Sequence, residues 1–316
     1  MKIVFAGSPQ FAVPTLEALV AMRHEAHHDV IAVVTQPDRP VGREQQLQAS
    51  AVKQAALRLG LVVHQPEKIK SEQGRALMES LQPQAVVVVG YGQILPPWLL
   101  DLPRYGCINL HASLLPAYRG AAPIQWAVAN GETKTGVTTM QMDPGMDTGP
   151  ILLTWETVIG AEETAVALAE RMSKPGAQLM LQTLAGLEAG SVTPIPQDNS
   201  LATKAPLLKK EHGLIDWSLT AYQIFNRLRG FTPWPGIYTG FRGKKLQIWQ
   251  AQPHAIPDSG NAPGALLISR EMLSVVCGGG TLLELLELQL EGRRRMSASD
   301  FVNGSQPKNG ERLEKI

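Results

Sequence analysis

The stretch Lys2-Ile3-Val4-Phe5-Ala6-Gly7-Ser8-Pro9-Gln10-Phe11 decides the reading of the first half of the chain: a short, unbroken apolar run that ends at a glycine and a proline. A run without polar alternation suits a strand buried on both faces, as in a parallel sheet. It is also too short to be the apolar core of a secretory signal. Similar runs recur at residues 30–35, 61–64, 85–89 and 106–110. Between them, residues 13–23, 50–59 and 73–81 carry apolar side chains at helical spacing; the second has Ser50 as N-cap and Gly60 as stop. This alternation predicts an α/β fold with a doubly wound, mostly parallel, Rossmann-like sheet. Two more strands are expected at 136–142 and 151–158, then a helical stretch over 162–187 that Pro175 should break or kink. The loop after the first strand lacks the second glycine of G-x-G-x-x-G, and Pro9 removes a donor, so pyrophosphate has no cradle there. No G-x-x-x-x-G-K-S/T occurs either. A nicotinamide dehydrogenase or a P-loop enzyme is therefore not expected.

With 316 residues, 44% of them apolar and 18% charged, the chain is long enough for about two domains and too apolar for disorder. Cys107 and Cys277 are its two cysteines, too few for a disulfide scaffold or a cysteine zinc site. No apolar run exceeds the five residues of Ala85–Val89, far below the ~20 of a membrane span. A cytoplasmic protein without membrane contact is expected. The net charge of +1 conceals an asymmetry: −3 over residues 1–205 and +4 over residues 206–316. A basic second part suits a polyanionic partner, although a difference of this size also arises by chance.

Around 191–206 the composition shifts to Pro194, Pro196 and Pro206 with Asp198, Asn199 and Ser200, which reads as a linker. The expected domains are 1–205 and 207–316. The second holds a helix at 220–229 and short strands at 237–241, 245–250, 265–269, 273–277 and 282–290, the pattern of a small OB-like β-barrel.

Chemistry concentrates in Gly106-Cys107-Ile108-Asn109-Leu110-His111-Ala112-Ser113-Leu114-Leu115-Pro116. On a strand, Asn109 and His111 share one face. They sit where the strand ends, and α/β folds build sites at the carboxyl ends of parallel strands. An amide beside an imidazole can donate to an oxygen that becomes negative during acyl transfer; the same pair can also simply cap a strand end. A second loop, Asp143-Pro144-Gly145-Met146-Asp147-Thr148-Gly149-Pro150, brings two carboxylates. Asp143 reads as a turn builder. Asp147 is the candidate to orient the histidine and carry protons.

The motifs Asn109-x-His111, Ser113-Leu114-Leu115-Pro116-x-Tyr118-Arg119-Gly120-Ala121-Ala122-Pro123-Ile124-Gln125 and Gly136-Val137-Thr138-Thr139-Met140-Gln141-Met142-Asp143-x-Gly145-x-Asp147-Thr148-Gly149 resemble the methionyl-tRNA formyltransferase family. The resemblance runs on through Ile215-Asp216-Trp217, Pro233-Trp234-Pro235 and Met296-Ser297-Ala298. It implies formyl transfer from 10-formyltetrahydrofolate to the amine of methionyl-initiator tRNA, with Asn109, His111 and Asp147 as catalytic residues and neither metal nor covalent enzyme intermediate. Ser113, Leu114, Leu115 and Pro116 would line the folate site. The turn carrying Tyr91, Gly92, Ile94 and Leu95 would pack the pteridine, with core packing the competing reading for Ile94 and Leu95. Residues 35–47 match the family's insertion loop toward the tRNA acceptor end. Family members often have two lysines where Gln45 and Gln46 stand, which leaves Arg39 and Arg43 as the contacts. Arg242, Lys244, Lys245, Arg293, Arg294 and Arg295 are candidates for tRNA phosphates on the barrel, or they form a solvated face. A monomer is expected. The competing functions are a sugar-nucleotide N-formyltransferase, a 10-formyltetrahydrofolate hydrolase, a glycinamide ribonucleotide formyltransferase without need of a second domain, and a binding module with an inactive first domain.

Overall fold

The computed structural model describes residues 1–22, 28–41, 46–255, 261–269 and 272–316. In chain order the first elements are β1 (Lys2–Gly7), α1 (Val13–Ala21), β2 (Asp29–Val34), β3 (Arg39–Val41), β4 (Gln46–Gln48), α2 (Ala51–Arg58), β5 (Val63–His64), α3 (Glu72–Leu81) and β6 (Ala85–Val89). Then come α4 (Pro97–Leu100), β7 (Cys107–His111), α5 (Pro123–Ala129), β8 (Lys134–Gln141), β9 (Ile151–Val158) and α6 (Ala165–Ala189). Seven strands form one sheet in the order β5-β2-β1-β6-β7-β8-β9. The first five are mutually parallel; β8 adds antiparallel to β7, and β9 antiparallel to β8. Every residue of β6 is buried, as is all of β1 after Lys2. This is why these runs carry no polar alternation. Val4, Ala6, Val34, Met78, Val86, Val88, Leu99 and Cys107 belong to one core cluster at this sheet. Helices start where the sequence supplies caps: Ser50 accepts from the Lys53 N–H, and Ser71 from the Gly74 N–H.

The expected break at Pro175 is corrected here. Helix α6 runs unbroken through Pro175. Proline removes one donor, but Leu168, Met172, Ala177, Met180 and Leu184 are buried on either side of it, and packing holds the helix. Gly176 allows a close approach: a β-carbon there would stand 3.0 Å from the Leu110 side chain on β7. Residues 191–206, read above as a linker, carry pairings of their own. Ile195 forms a bridge with Ile151, and Lys204 with Arg119.

The chain divides into two compact units, one of residues 1–123, 134–158 and 168–206, the other of 124–133, 159–167 and 207–316. Within the second unit Arg229, only 6% exposed, donates to the carbonyls of Gly160 and Glu163 at 2.9 Å each. Trp126 meets the rings of His212 and Phe231 edge-on. These contacts are distant in sequence, so a boundary read from composition does not register them.

The second unit continues with α7 (Ala221–Phe231), β10 (Ile237–Phe241), β11 (Lys244–Ala255), β12 (Leu266–Ile268), β13 (Leu273–Cys277), β14 (Thr281–Leu290), β15 (Met296–Ser297) and α8 (Ala298–Ser305). The strand at 245–250 is longer than its sequence suggested, and β15 and α8 were not expected. The antiparallel order is β10-β11-β14-β13-β12. Residues 310–314 hydrogen-bond to both edges: Glu314 exchanges two bonds with Gly240, Leu266 donates to the Glu311 carbonyl, and Leu313 to that of Gly264. The sheet thereby closes on itself around Leu246, Ile248, Val275, Leu283 and Leu288, all fully buried.

Candidate active site

Strands β1, β2, β6 and β7 run parallel, so their carboxyl ends deliver four loops to one edge of the sheet, the place where α/β folds build sites. Asn109 and His111 lie two apart on β7, 8% and 6% exposed, opposite Met140 and Thr138 of β8. The structure brings Asp147 to the same point: its Oδ2 lies 3.7 Å from His111 Nδ1. That separation exceeds a hydrogen bond, so the pair attracts as ions only when the ring is protonated.

The imidazole is fixed from its other side. Its Nε2 lies 2.9 Å from the Tyr118 carbonyl. A carbonyl only accepts, so Nε2 carries the hydrogen and a second proton would sit on Nδ1, facing Asp147. Asp147 Oδ2 accepts from the Gly120 N–H at 2.8 Å. Its Oδ1 has no protein partner among the described residues, and neither has the Asn109 amide. The site therefore offers the Asn109 amide as a donor, and His111 Nδ1–H as a second when the ring is protonated, beside a carboxylate with one oxygen anchored and the other open. Asp143, by contrast, accepts from Gly145 N–H and the Thr148 hydroxyl, and builds the turn.

Composition did not disclose the brace behind this pair. Asp147 adopts a left-handed backbone, φ 54°, uncommon for a residue other than glycine. The Gln197 amide donates to the carbonyls of Asp147 (2.9 Å) and Gly149 (2.7 Å). Gln197 Oε1 accepts from Arg119 Nε and Nη2. Thr203 Oγ1 accepts from the Tyr118 N–H at 2.8 Å. Arg119, Gln197 and Thr203 were missed as site residues; their only sequence signal was Arg119 within a motif.

Ser113 donates to the Ala117 carbonyl and its own carbonyl accepts from Thr138 Oγ1, which also accepts from the Leu115 N–H. This stitches the turn of Ser113, Leu114, Leu115 and Pro116 to β8. Ser113 and Leu115 are buried, while Leu114 and Pro116 are partly exposed. The side chains of Tyr91 and Leu95 belong to the sheet core, the competing reading given above for Leu95. Burial pushes the Tyr91 hydroxyl up to about 12. Tyr91 reaches the loops through its carbonyl, which accepts from Ser8 and Gln36. Gly92 sits at φ 83° and Ile94 is 80% exposed, so Ile94 is the apolar side chain of this turn open to a ligand.

On the expected acceptor side, β3 (residues 39–41) pairs antiparallel with β4 (residues 46–48). Arg39 is exposed; Arg43 and Gln45 lie outside the described residues. Asp38 is held by Lys53 at 2.6 Å and by Gln65 at 2.8 Å, which keeps its carboxyl below the usual range. On the barrel, Lys244, Arg293 and Arg294 are exposed. Lys245 stands over the Tyr238 ring at 4.3 Å. Arg242 is committed to Glu311, and Arg295 to Glu287 and the Trp249 face.

Comparison with known proteins agrees with this layout. The Formyl transferase family model matches residues 1–184, and the model of its C-terminal domain matches residues 207–306. A methionyl-tRNA formyltransferase of Solibacter usitatus is 53% identical, spanning 99% of this chain and 98% of its own. That of Koribacter versatilis is 54% identical, spanning 100% and 99%. Among solved structures, the sugar 3N-formyl transferase WlaRD superposes with a TM-score of 0.67 at 19% identity, covering 93% of this chain and 99% of its own. An N-formyltransferase of Helicobacter canadensis gives 0.65 at 18% identity, covering 90% and 98%. These two likenesses concern the fold.

Proposed function

The chain belongs to the methionyl-tRNA formyltransferase family, and from that premise we infer that it formylates the free amine of methionyl-initiator tRNA with 10-formyltetrahydrofolate. The product, N-formylmethionyl-tRNA, serves translation initiation. The observation that carries the chemistry is the convergence of Asn109, His111 and Asp147 at the end of β7.

The folate is a substrate and supplies an activated formyl carbon. The uncommitted Asn109 amide fits it as a donor to the formyl oxygen. As the amine attacks, that oxygen gains charge, and the Asn109 amide receives it together with the Nδ1–H that His111 carries when its ring is protonated. One such donor is worth about 10²–10³ in kcat. The open Oδ1 of Asp147 accepts the proton lost by the amine and returns it to the departing folate nitrogen. Tyr118 and Gly120 contribute orientation alone: one holds the ring, the other one carboxylate oxygen. No step assigns a role to a metal. Ser113, Leu114, Leu115 and Pro116, the backbone of Tyr91 and Gly92, and the exposed Ile94 are assigned to the folate. Arg39, Lys244, Lys245, Arg293 and Arg294 are assigned to tRNA phosphates, as is Arg43 from its sequence position. We place the protein in the cytoplasm, acting as a monomer.

The test is tetrahydrofolate release from 10-formyltetrahydrofolate, with and without charged initiator tRNA. Release that requires the charged tRNA supports the reading. Equal release without it makes the protein a hydrolase.

A further inference from the structure

Asp147 lies on a loop whose neighbouring residues 144–146 are exposed. A carboxylate that moves protons must hold its place to within a fraction of an ångström, yet this loop places Asp147 in a left-handed conformation, φ 54°. Such a conformation persists only where the surroundings over-determine it.

We propose that Gln197, backed by Arg119, is a positioning residue for the Asp147 carboxylate; the proposal rests on the catalytic reading of Asp147 given above. A glutamine amide has two N–H donors and one oxygen with two lone pairs. All four are used. The donors meet the carbonyls of Asp147 and Gly149, one residue apart on either side of Thr148. The oxygen takes Arg119 Nε at 3.0 Å and Nη2 at 2.7 Å. Arg119 is itself anchored: its N–H donates to the Thr203 carbonyl, its carbonyl accepts from Ala205 N–H, and its Nη2 also reaches Asn199 Oδ1. Gln197 thus transfers the rigidity of a paired backbone segment to the two peptide groups that set the direction of the Asp147 side chain. The same segment steadies the opposite partner, because Thr203 accepts the Tyr118 N–H whose residue holds His111. No other amino acid offers two donors to the loop and two lone pairs to Arg119 from this position. Glutamate would keep the Arg119 pair but set a negative oxygen against two carbonyls.

The experiment compares Gln197→Leu, Gln197→Glu, Asp147→Asn and the double variant Asp147→Asn/Gln197→Leu in the full chain, with 10-formyltetrahydrofolate and methionyl-initiator tRNA. A displacement of about 1 Å costs on the order of 10²-fold in rate. Both Gln197 variants should therefore lose 10- to 100-fold in kcat, with KM for either substrate within about twofold of wild type. In the double variant, Gln197→Leu should cost nothing beyond Asp147→Asn, because the group it positions is gone. Gln197→Glu retains the Arg119 pair, so it reports on the loop even if Gln197→Leu fails to fold. Near-normal kcat in Gln197→Glu while Asp147→Asn is inactive overturns the positioning role and leaves the catalytic reading intact. Independent, multiplicative losses in the double variant overturn it as well. Near-normal turnover of Asp147→Asn overturns the catalytic reading and the positioning role with it.

Discussion

Gly120→Ala is the sharpest single-atom probe of this site. Gly120 sits at φ 127°, and a β-carbon there would lie 2.5 Å from the Ala205 carbonyl oxygen. That is about 1 Å inside ordinary contact. Both atoms belong to backbone, so neither rotates away; the segment holding residue 120 must retreat by a similar amount. Its N–H donates to Asp147 Oδ2 at 2.8 Å, and a retreat of about 1 Å takes that bond past its working range. The loss expected in kcat is on the order of 10²-fold, with little change in KM for folate. The conformation itself adds about 1–3 kcal/mol of strain. At about 2–4 °C per kcal/mol for a chain of this class, Tm should fall by several degrees. Gly60→Ala separates the two effects: Gly60 also has a positive φ, 68°, but nothing lies within 4 Å of its added carbon. That variant should lose some Tm and keep its turnover. Steady-state formylation of charged tRNA, with a thermal melt of each variant, makes the measurement. Gly120→Ala with kcat within twofold of wild type would refute the claim that this N–H fixes the carboxylate.

Asn109→Ala removes a donor that has no protein partner among the described residues, so it should cost about 10²–10³ in kcat, leave folate KM unchanged and barely move Tm; a loss confined to KM contradicts the oxyanion assignment. Replacing Lys244, Arg293 and Arg294 with alanine should flatten the dependence of log K for tRNA on log salt by roughly 0.7–0.9 per phosphate contact removed, and superimposable salt curves would exclude these residues from the interface. Burial pushes the thiols of Cys107 and Cys277 up to about 12, so iodoacetamide at neutral pH should label neither until urea unfolds the chain. Rapid labelling of the native protein at either position contradicts the packing described.

The parallel sheet was legible because burial on both faces erases polar alternation, and residues 2–6 and 85–89 display that directly. Asn109 and His111 were legible for a similar reason: strand periodicity alone puts them on one face at a strand end. What sequence could not display is anything held together by side-chain geometry across long separations. Gln197 meets the Asp147 loop 50 residues away, and nothing in its own neighbourhood of prolines and small polar residues announces this. The same composition made residues 191–206 read as a linker, without showing their pairing with Ile151 and Arg119. Pro175 misled in the opposite direction, since its local cost is certain while the buried Met172 and Met180 that outweigh it emerge only with the fold. Tyr91 and Leu95 were expected at a ligand because they sit in the right loop; which way each side chain turns is a tertiary outcome.

The seam made by residues 310–314 has a consequence for how the chain is made. They follow every other strand of the barrel in sequence, yet among the described residues they are what joins β10 to β12. While the polypeptide emerges from a ribosome, the peptide groups of Gly240, Gly264 and Leu266 that the seam satisfies therefore wait until it is synthesised. Exposed strand edges invite pairing with other chains. The interval between synthesis of β14 and arrival of the seam is thus the moment when nascent copies translated side by side are most prone to stick together, and the moment when a chaperone that shields bare strands would matter most.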